Sequence, residues 1–394
     1  MTEEKKKRAV VTSFKPPRSS EWKPLQPEKD NGGSEKEARQ NQDELHNVLL
    51  SSLQMQHLVV LAGSGCSMGA GGPSMLDLWN EVVGTNPSDK VKSVIDTVRY
   101  DITHKNIEAL LSRIEASLAL NSNEDLSKFL RNSKQNILKK CSGFLADEEK
   151  LEAHKTFVHR LSRRRVRDQR LKIFTTNYDL CFESAAGALG IVVIDGFSFS
   201  YPRRFDPRFF DQDIVRRPRN GSESATYLEG VFLLYKLHGS VNWAHKGNGN
   251  VVQEASPEPD EACLIYPAAG KYQQSFRQPH LELIAQYMAS VREPNTCIIV
   301  TGFGFNDDHL SEPLISAVTS NPHLRLIVAD PSAKEKLVDG NEYWKHLGEL
   351  NAQGEDVWLI SADFNQFAQL IPDLRSLSPA DALVKAIRGV ARTE

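Results

Sequence analysis

Short apolar runs punctuate this chain, separated by longer stretches in which hydrophobic residues recur every three or four positions. The runs are His57-Leu-Val-Val-Leu-Ala62, Leu171-Lys-Ile-Phe174, Ile191-Val-Val-Ile194, Val231-Phe-Leu-Leu-Tyr235, Ile298-Ile-Val300, Leu324-Arg-Leu-Ile-Val328 and Val357-Trp-Leu-Ile360. Near-continuous apolar character over so few residues predicts strands buried on both faces. Leu45, Val48, Leu49 and Leu53 precede the first run at helical spacing, and a helix beginning near Ser74 follows it with Leu76, Leu78, Trp79 and Val82 inward. Ile107, Leu110, Leu111, Ile114 and Leu118 mark a further amphipathic helix, and Leu281 to Val291 and Leu310 to Thr319 read the same way. Strands alternating with helices predict an α/β fold, a largely parallel sheet covered on both faces.

The remaining segments set the domain organisation. Residues 88–170 are helical in pattern throughout and predict a helical insertion beside the sheet. Residues 196–230 and 244–262, rich in Pro, Gly and charge, predict loop insertions at the surface. Residues 1–40 carry Lys5-Lys-Lys-Arg8, Pro16-Pro17, Pro24 and Asn31-Gly-Gly-Ser34, too little apolar area to offset chain entropy, and predict a disordered tail. An arm docking on a partner subunit or on nucleic acid is the alternative. The folded domain then spans 41–394, with no internal repeat.

Composition narrows the class. The chain has 394 residues, 40% hydrophobic, with a net charge of −3, so the molecule as a whole is no polyanion binder. No stretch approaches eighteen consecutive apolar residues and the first thirty lack a signal-peptide core, which predicts a cytoplasmic protein without a membrane span. Cys66, Cys141, Cys181, Cys263 and Cys297 are dispersed. Their spacing excludes a zinc ribbon or disulfide framework and suits buried, reduced thiols.

Chemistry concentrates where the strands end. After the first strand, Gly63 and Gly65 would allow close backbone approach to a pyrophosphate, and Ser67 could donate a hydroxyl. The spacing fits neither a simple dinucleotide fingerprint nor a P-loop. Thr175-Thr-Asn-Tyr-Asp179 closes the second strand: Asn177 can hold ribose hydroxyls or a water, and Asp179 can bind a sugar or cap the next helix. His238, before Gly239-Ser240, offers an imidazole able to take a proton from a sugar hydroxyl or an attacking water. His309 reads as a solvent-facing helix start, having no second metal ligand at suitable spacing. Thr301-Gly-Phe-Gly-Phe305 could turn backbone amides toward a phosphate, and Asp330 could accept from an adenosine ribose or simply make a turn with Pro331. A phosphate loop, a sugar-binding pair and a base together suggest cleavage of a dinucleotide at its ribose.

These segments, in this order, resemble the sirtuin family of NAD-consuming enzymes. Its G-A-G-x-S-x-x-x-G-I-P loop is matched by Gly63, Gly65, Ser67, Gly71 and Pro73, its T-Q-N-x-D by Thr175, Asn177 and Asp179, and its His-Gly by His238 and Gly239. Its late nucleotide loop is similar to the segment with Gly302 and Gly304. The resemblance implies a Rossmann-like NAD-binding sheet with His238 as base and Asn177 orienting the nicotinamide ribose or water. NAD-binding positions would be Gly63, Gly65, Ser67, Pro73, Thr175, Asp179, Gly302, Gly304 and Asp330.

Three departures refine that expectation. The four-cysteine zinc module of sirtuin deacylases is missing, so no metal is expected. Ser74-Met-Leu76 stands where the family has Asp-Phe-Arg, and Leu264-Ile-Tyr-Pro267 with Gly270-Lys271 replaces its Phe-Gly-Glu stretch. The chain is thereby similar to the bacterial sirtuin-like effectors of anti-phage defence, which hydrolyse NAD to nicotinamide and ADP-ribose. That branch implies a homo-oligomer and a HerA-type ATPase partner, with nucleic acid reached through the assembly; the helical insertion, the arginines of 160–170 and both termini are candidate assembly surfaces. A protein deacylase and a non-catalytic NAD- or ADP-ribose-sensing subunit are the competing readings.

Overall fold

The computed structural model describes residues 12–27, 35–145, 148–164, 168–218, 225–265 and 278–373. Its strands are β1 (Ser13–Lys15), β2 (Lys23–Pro24), β3 (His57–Ala62), β4 (Leu171–Thr175), β5 (Val192–Ile194), β6 (Val215–Arg216), β7 (Thr226–Tyr227), β8 (Val231–Lys236), β9 (Gly239–His245), β10 (Val251–Gln253), β11 (Ala262–Leu264), β12 (Thr296–Thr301), β13 (Leu324–Ala329) and β14 (Val357–Ser361). The main sheet runs β2-β1-β14-β13-β12-β3-β4-β8-β5. Every pairing from β14 to β5 is parallel, and only β1 and β2 join antiparallel at one edge.

Alternate residues of the central strands enter different cores, which is why the strand sequences read as continuous apolar runs. Val59 and Leu61 join a cluster with Leu283, Tyr287, Leu310 and Leu314 on one face. Leu58, Val60 and Ala62 join Leu45, Leu49, Phe157, Phe182 and Phe367 on the other. The helices over the first face include His280–Ser290, Asp308–Ser320 and Glu342–Gln353; those over the second include Glu35–Leu53, Glu152–Ser162, Cys181–Leu189 and Phe364–Leu370. This is a Rossmann-like sheet with helices on both sides.

A third cluster belongs to the helices Met75–Val82, Asp89–Thr97, Ile107–Leu120 and Glu124–Ser142, which pack Ile107, Leu111, Ile114 and Ile137 together and against Val241 and Leu264. The helical insertion expected over 88–170 therefore divides. Its part up to residue 142 has this satellite core, whereas the helix Glu152–Ser162 lies on the main sheet.

Two sequence expectations are corrected. The tail expected over 1–40 is ordered where it is described. Ser13, Phe14 and Lys15 pair with Ser361, Ile360 and Leu359, Phe14 is fully buried, and Asn41 and Gln42 donate to the carbonyls of Pro24 and Leu25. One buried phenylalanine and a strand edge supply what average composition hides; Lys5 to Arg8 lies outside the described residues. The loop insertion over 244–262 instead contributes β10 and leads into β11, and these two strands flank β9 in a three-stranded sheet. Its paired segments are only three residues long, too short for periodicity to reveal.

Candidate active site

Strand order reverses between β3 and β12. From β3 the chain proceeds to β4 on one side, and it later returns to β12 on the other. Parallel sheets bind ligands at such a switch point, outside the carboxyl ends of the strands. The loops after β3 and β12 meet there at van der Waals limit. A Cβ on Gly65 would lie 2.6 Å from the Gly302 Cα, and one on Gly302 would lie 2.4 Å from the Cys66 nitrogen, at a φ of +62°. Only glycines permit this contact.

A cavity of about 640 Å³ opens over this junction, lined by residues that include Ser64, Pro73, Asn177, Asp179, His238 and Gly304. That volume is in the range of small-molecule sites. Of the residues expected from sequence, Gly63, Ser67, Pro73, Asn177, Asp179, His238, Gly302 and Gly304 line it. Gly65 and Thr175 support it from behind, Gly65 through its contact with Gly302 and Thr175 through the Oγ1 that accepts from the Asn177 amide at 3.1 Å. Asp330 is outside this lining: it accepts from Ser332 N at 2.8 Å and pairs with Lys336 at 2.6 Å, making the turn that was its other reading.

Three side chains form a buried network. Asn177 Nδ2 donates to the Gly63 carbonyl at 3.0 Å and to Ser67 Oγ at 2.9 Å. Ser67 Oγ donates to Asp179 Oδ2 at 2.6 Å, while Asp179 Oδ1 accepts from the Cys181 amide at the start of a helix. The Gly63 carbonyl can only accept, so it fixes which end of the Asn177 amide faces it. With both amide hydrogens committed, Asn177 offers a ligand its carbonyl oxygen, an acceptor for a ribose hydroxyl or water. Asp179 thus holds the first amide of the helix and anchors the network.

The hydrogen bonds within the first glycine loop limit which of its groups could meet a phosphate. The Ser67 proton goes to Asp179, not to a ligand. The N–H groups of Gly63, Gly65, Cys66 and Ser67 donate to the carbonyls of Thr301, Gly302, Gly63 and Ser64. The first glycine loop spends these donors on closing itself against its neighbour.

His238 occupies the two-residue turn between β8 and β9 and is 4% exposed. Its turn is braced to the Asn177 segment: Leu237 N donates to Thr175 O at 2.8 Å, and Val241 N to Tyr178 O at 3.0 Å. Lys236, buried, donates to the carbonyls of Tyr178 and Asp179 and pairs with Glu183 at 3.0 Å. His280 donates from Nδ1 to the Leu237 carbonyl at 3.1 Å, and its burial pushes its pKa down to about 4. His309 is corrected from a solvent-facing position, for its ring stacks on His238 with centroids 5.7 Å apart. The hydrophobic pattern of 310–319 located the helix but not which side its first residue takes.

Sequence reasoning also missed His104, Lys105 and Asn106, which bring the helical insertion into the cavity wall, and Tyr178, Phe303, Asn306 and Asp307. Nothing local to 104–106 marks them; their role comes from where the insertion packs. Cys141 lines the cavity with its thiol pushed up to about 12 by burial. Among the described residues no group of His, Cys, Asp and Glu could hold a metal. Nor is any described helix long and apolar enough to cross a membrane.

Residues 171–348 match the family model of the SIR2-like domain. This SIR2-like segment holds Asn177, His238, Gly302 and Gly304, while the loop from Gly63 to Pro73 precedes it. No curated protein matches the chain. Among solved structures, a Sir2 homologue in complex with NAD is similar at 16% identity and a TM-score of 0.43, covering 82% of this chain and 91% of its own. A mutant Sir2 homologue bound to 2′-O-acetyl-ADP-ribose gives 16% identity and a TM-score of 0.42, over 82% and 94%.

Of the arginines of 160–170, Arg163 is exposed, whereas Arg160, Arg164 and Arg170 are engaged within the chain and are corrected as a solvated face. Arg160 donates to the carbonyls of Ala368, Gln369 and Ile371, Arg164 to those of Leu53, Met55, Gln56 and Gln169, and Arg170 pairs with Asp213 at 2.8 Å. Residues 165–167 lie outside the described residues, as do Tyr266, Pro267, Gly270 and Lys271.

Proposed function

We propose that the cavity binds NAD and cleaves its nicotinamide–ribose bond, giving nicotinamide and ADP-ribose. The observation that carries this reading is the placement of Asn177 and His238, 61 positions apart in sequence, on cross-braced turns lining one cavity at the sheet's switch point. On this reading the bond from C1′ to the pyridinium nitrogen breaks and its electron pair neutralises the ring, so nicotinamide leaves without protonation. A water held by the Asn177 carbonyl oxygen adds to C1′, and His238 takes its proton. Atoms and charge balance as NAD⁺ plus water giving nicotinamide, ADP-ribose and a proton. The Asn177 acceptor favours the electron-poor C1′ of the transition state.

The wider setting rests on the sequence resemblance: an NAD-depleting effector of anti-phage defence, working as a homo-oligomer with a HerA-type ATPase partner. The test is nicotinamide release from NAD by the purified chain, alone and with extract of phage-infected cells, beside Asn177→Ala and His238→Ala. Release that both substitutions reduce at least a hundredfold supports the hydrolase. NAD binding without release under any condition would leave a sensing subunit and end the catalytic reading.

A further inference from the structure

The NAD reading places a doubly charged group in the cavity and calls for a charged side chain to meet it beside the backbone amides of Gly302 to Gly304. A dinucleotide carries a diphosphate, and the first glycine loop does not receive it with the N–H groups of Gly63, Gly65, Cys66 and Ser67, which are already donated to carbonyls. Asp179 and Asp307 line the same cavity and would repel it. Among the described residues, Lys105 is the only lysine or arginine in the cavity wall.

The backbone at Lys105 is unusual as well. It is left-handed, at φ 44° and ψ 35°, a conformation glycine adopts freely and a lysine adopts at a cost of about 1 kcal/mol. Its neighbours impose it. Asp101 Oδ1 accepts from the Thr103 amide at 2.9 Å and hydroxyl at 2.7 Å. The Tyr100 hydroxyl donates to the Asn106 carbonyl at 3.0 Å and accepts from its amide at 3.2 Å, and Asn106 Oδ1 caps the helix at Ala109 N. Both flanks are thus clamped, and the strained residue between them is the lysine that lines the cavity.

We propose that Lys105 binds the diphosphate of the dinucleotide, so that the helical insertion supplies the phosphate contact of the site. The proposal rests on the NAD reading of the cavity and adds a selectivity to it: ligands bearing a diphosphate are favoured over the phosphate-free nicotinamide riboside. A partly exposed ammonium–phosphate contact is worth about a tenfold change in affinity, and screening by salt weakens it.

The experiment is titration calorimetry of the full chain with ADP-ribose and with nicotinamide riboside, for wild type, Lys105→Gln, Lys105→Arg and Lys105→Gly, with nicotinamide release measured alongside. Lys105→Gln and Lys105→Gly are expected to weaken ADP-ribose about tenfold, to leave nicotinamide riboside affinity unmoved, and to flatten the salt dependence of ADP-ribose binding; Lys105→Arg should retain most of it. Lys105→Gly relieves the backbone strain, so its melting temperature should not fall, which separates lost binding from lost folding. Unchanged ADP-ribose affinity in both variants overturns the role of Lys105. ADP-ribose binding that depends on Lys105, with no nicotinamide release from NAD, would overturn the hydrolase while upholding the phosphate contact.

Discussion

Ser67 Oγ lies 2.6 Å from Asp179 Oδ2, although 112 positions separate the two residues in sequence. The same oxygen accepts from Asn177, so one hydroxyl joins the carboxylate that holds the Cys181 amide to the Asn177 side chain that lines the cavity. Ser67 lines the cavity and is held between Asn177 and Asp179.

Ser67→Ala removes that relay. Asp179 loses a donor and Asn177 an acceptor in a buried setting, which should cost about 1–3 kcal/mol. Nicotinamide release should fall mainly in kcat, because the Asn177 carbonyl is left free to rotate while the cavity keeps its shape. Chemical denaturation and steady-state kinetics would read the two effects; a rise in KM alone would mean that Ser67 contacts the ligand after all.

Gly302→Ala tests the junction of the two loops. The new Cβ would lie 2.4 Å from the Cys66 nitrogen and 2.8 Å from the Gly65 carbonyl carbon, at a φ of +62°. Backbone on both sides cannot yield cheaply, so we expect a loss of about 2–4 kcal/mol and a clearly lower melting temperature. Native stability in this variant would show that the loops can separate.

Lys236→Met should be severe for a residue beside the site. The substitution leaves the carbonyls of Tyr178 and Asp179 without their ammonium partner and Glu183 without its counter-charge. A loss of about 3 kcal/mol is expected, with weaker catalysis because these two residues follow Asn177 directly. Thermal melts and turnover at matched folded fraction would separate the contributions.

Acid should destabilise the fold through two histidines. Burial lowers His154 and His280 from the ordinary 6.5 to about 4 each. A histidine depressed in the folded state contributes stability that is complete above pH 6.5 and is lost as pH falls from about 6.5 to 4. Each shift corresponds to about 3 kcal/mol. His154 packs between Phe182 and Phe364 with neither ring nitrogen hydrogen-bonded, so His154→Phe should flatten part of the pH dependence of urea unfolding. An unaltered pH profile in that variant would remove His154 from the account.

Much of the architecture was legible in local pattern. The run from Leu58 to Ala62 is apolar at every position, which only a strand covered on both faces requires, and the parallel sheet follows from several such runs separated by helices. Asn177 and His238 were legible for a similar reason: polar side chains at the ends of apolar strands have a cleft as their destination.

What the sequence could not contain is which strand ends meet. Gly65 touches Gly302 because β3 lies beside β12 in the sheet, and that adjacency packs the two glycine loops into one junction. Asp330 ends a strand as Asn177 does, yet Lys336, six residues later, claims it. Phe14 sits in a stretch whose composition reads as disordered, and a single strand pairing with β14 orders it. Lys105 reaches the cavity only because the insertion packs against β9 and β11. Periodicity is a property of neighbours in the chain and fixes which face is buried; contacts between residues a hundred positions apart depend on strand order and packing, which only the tertiary structure decides.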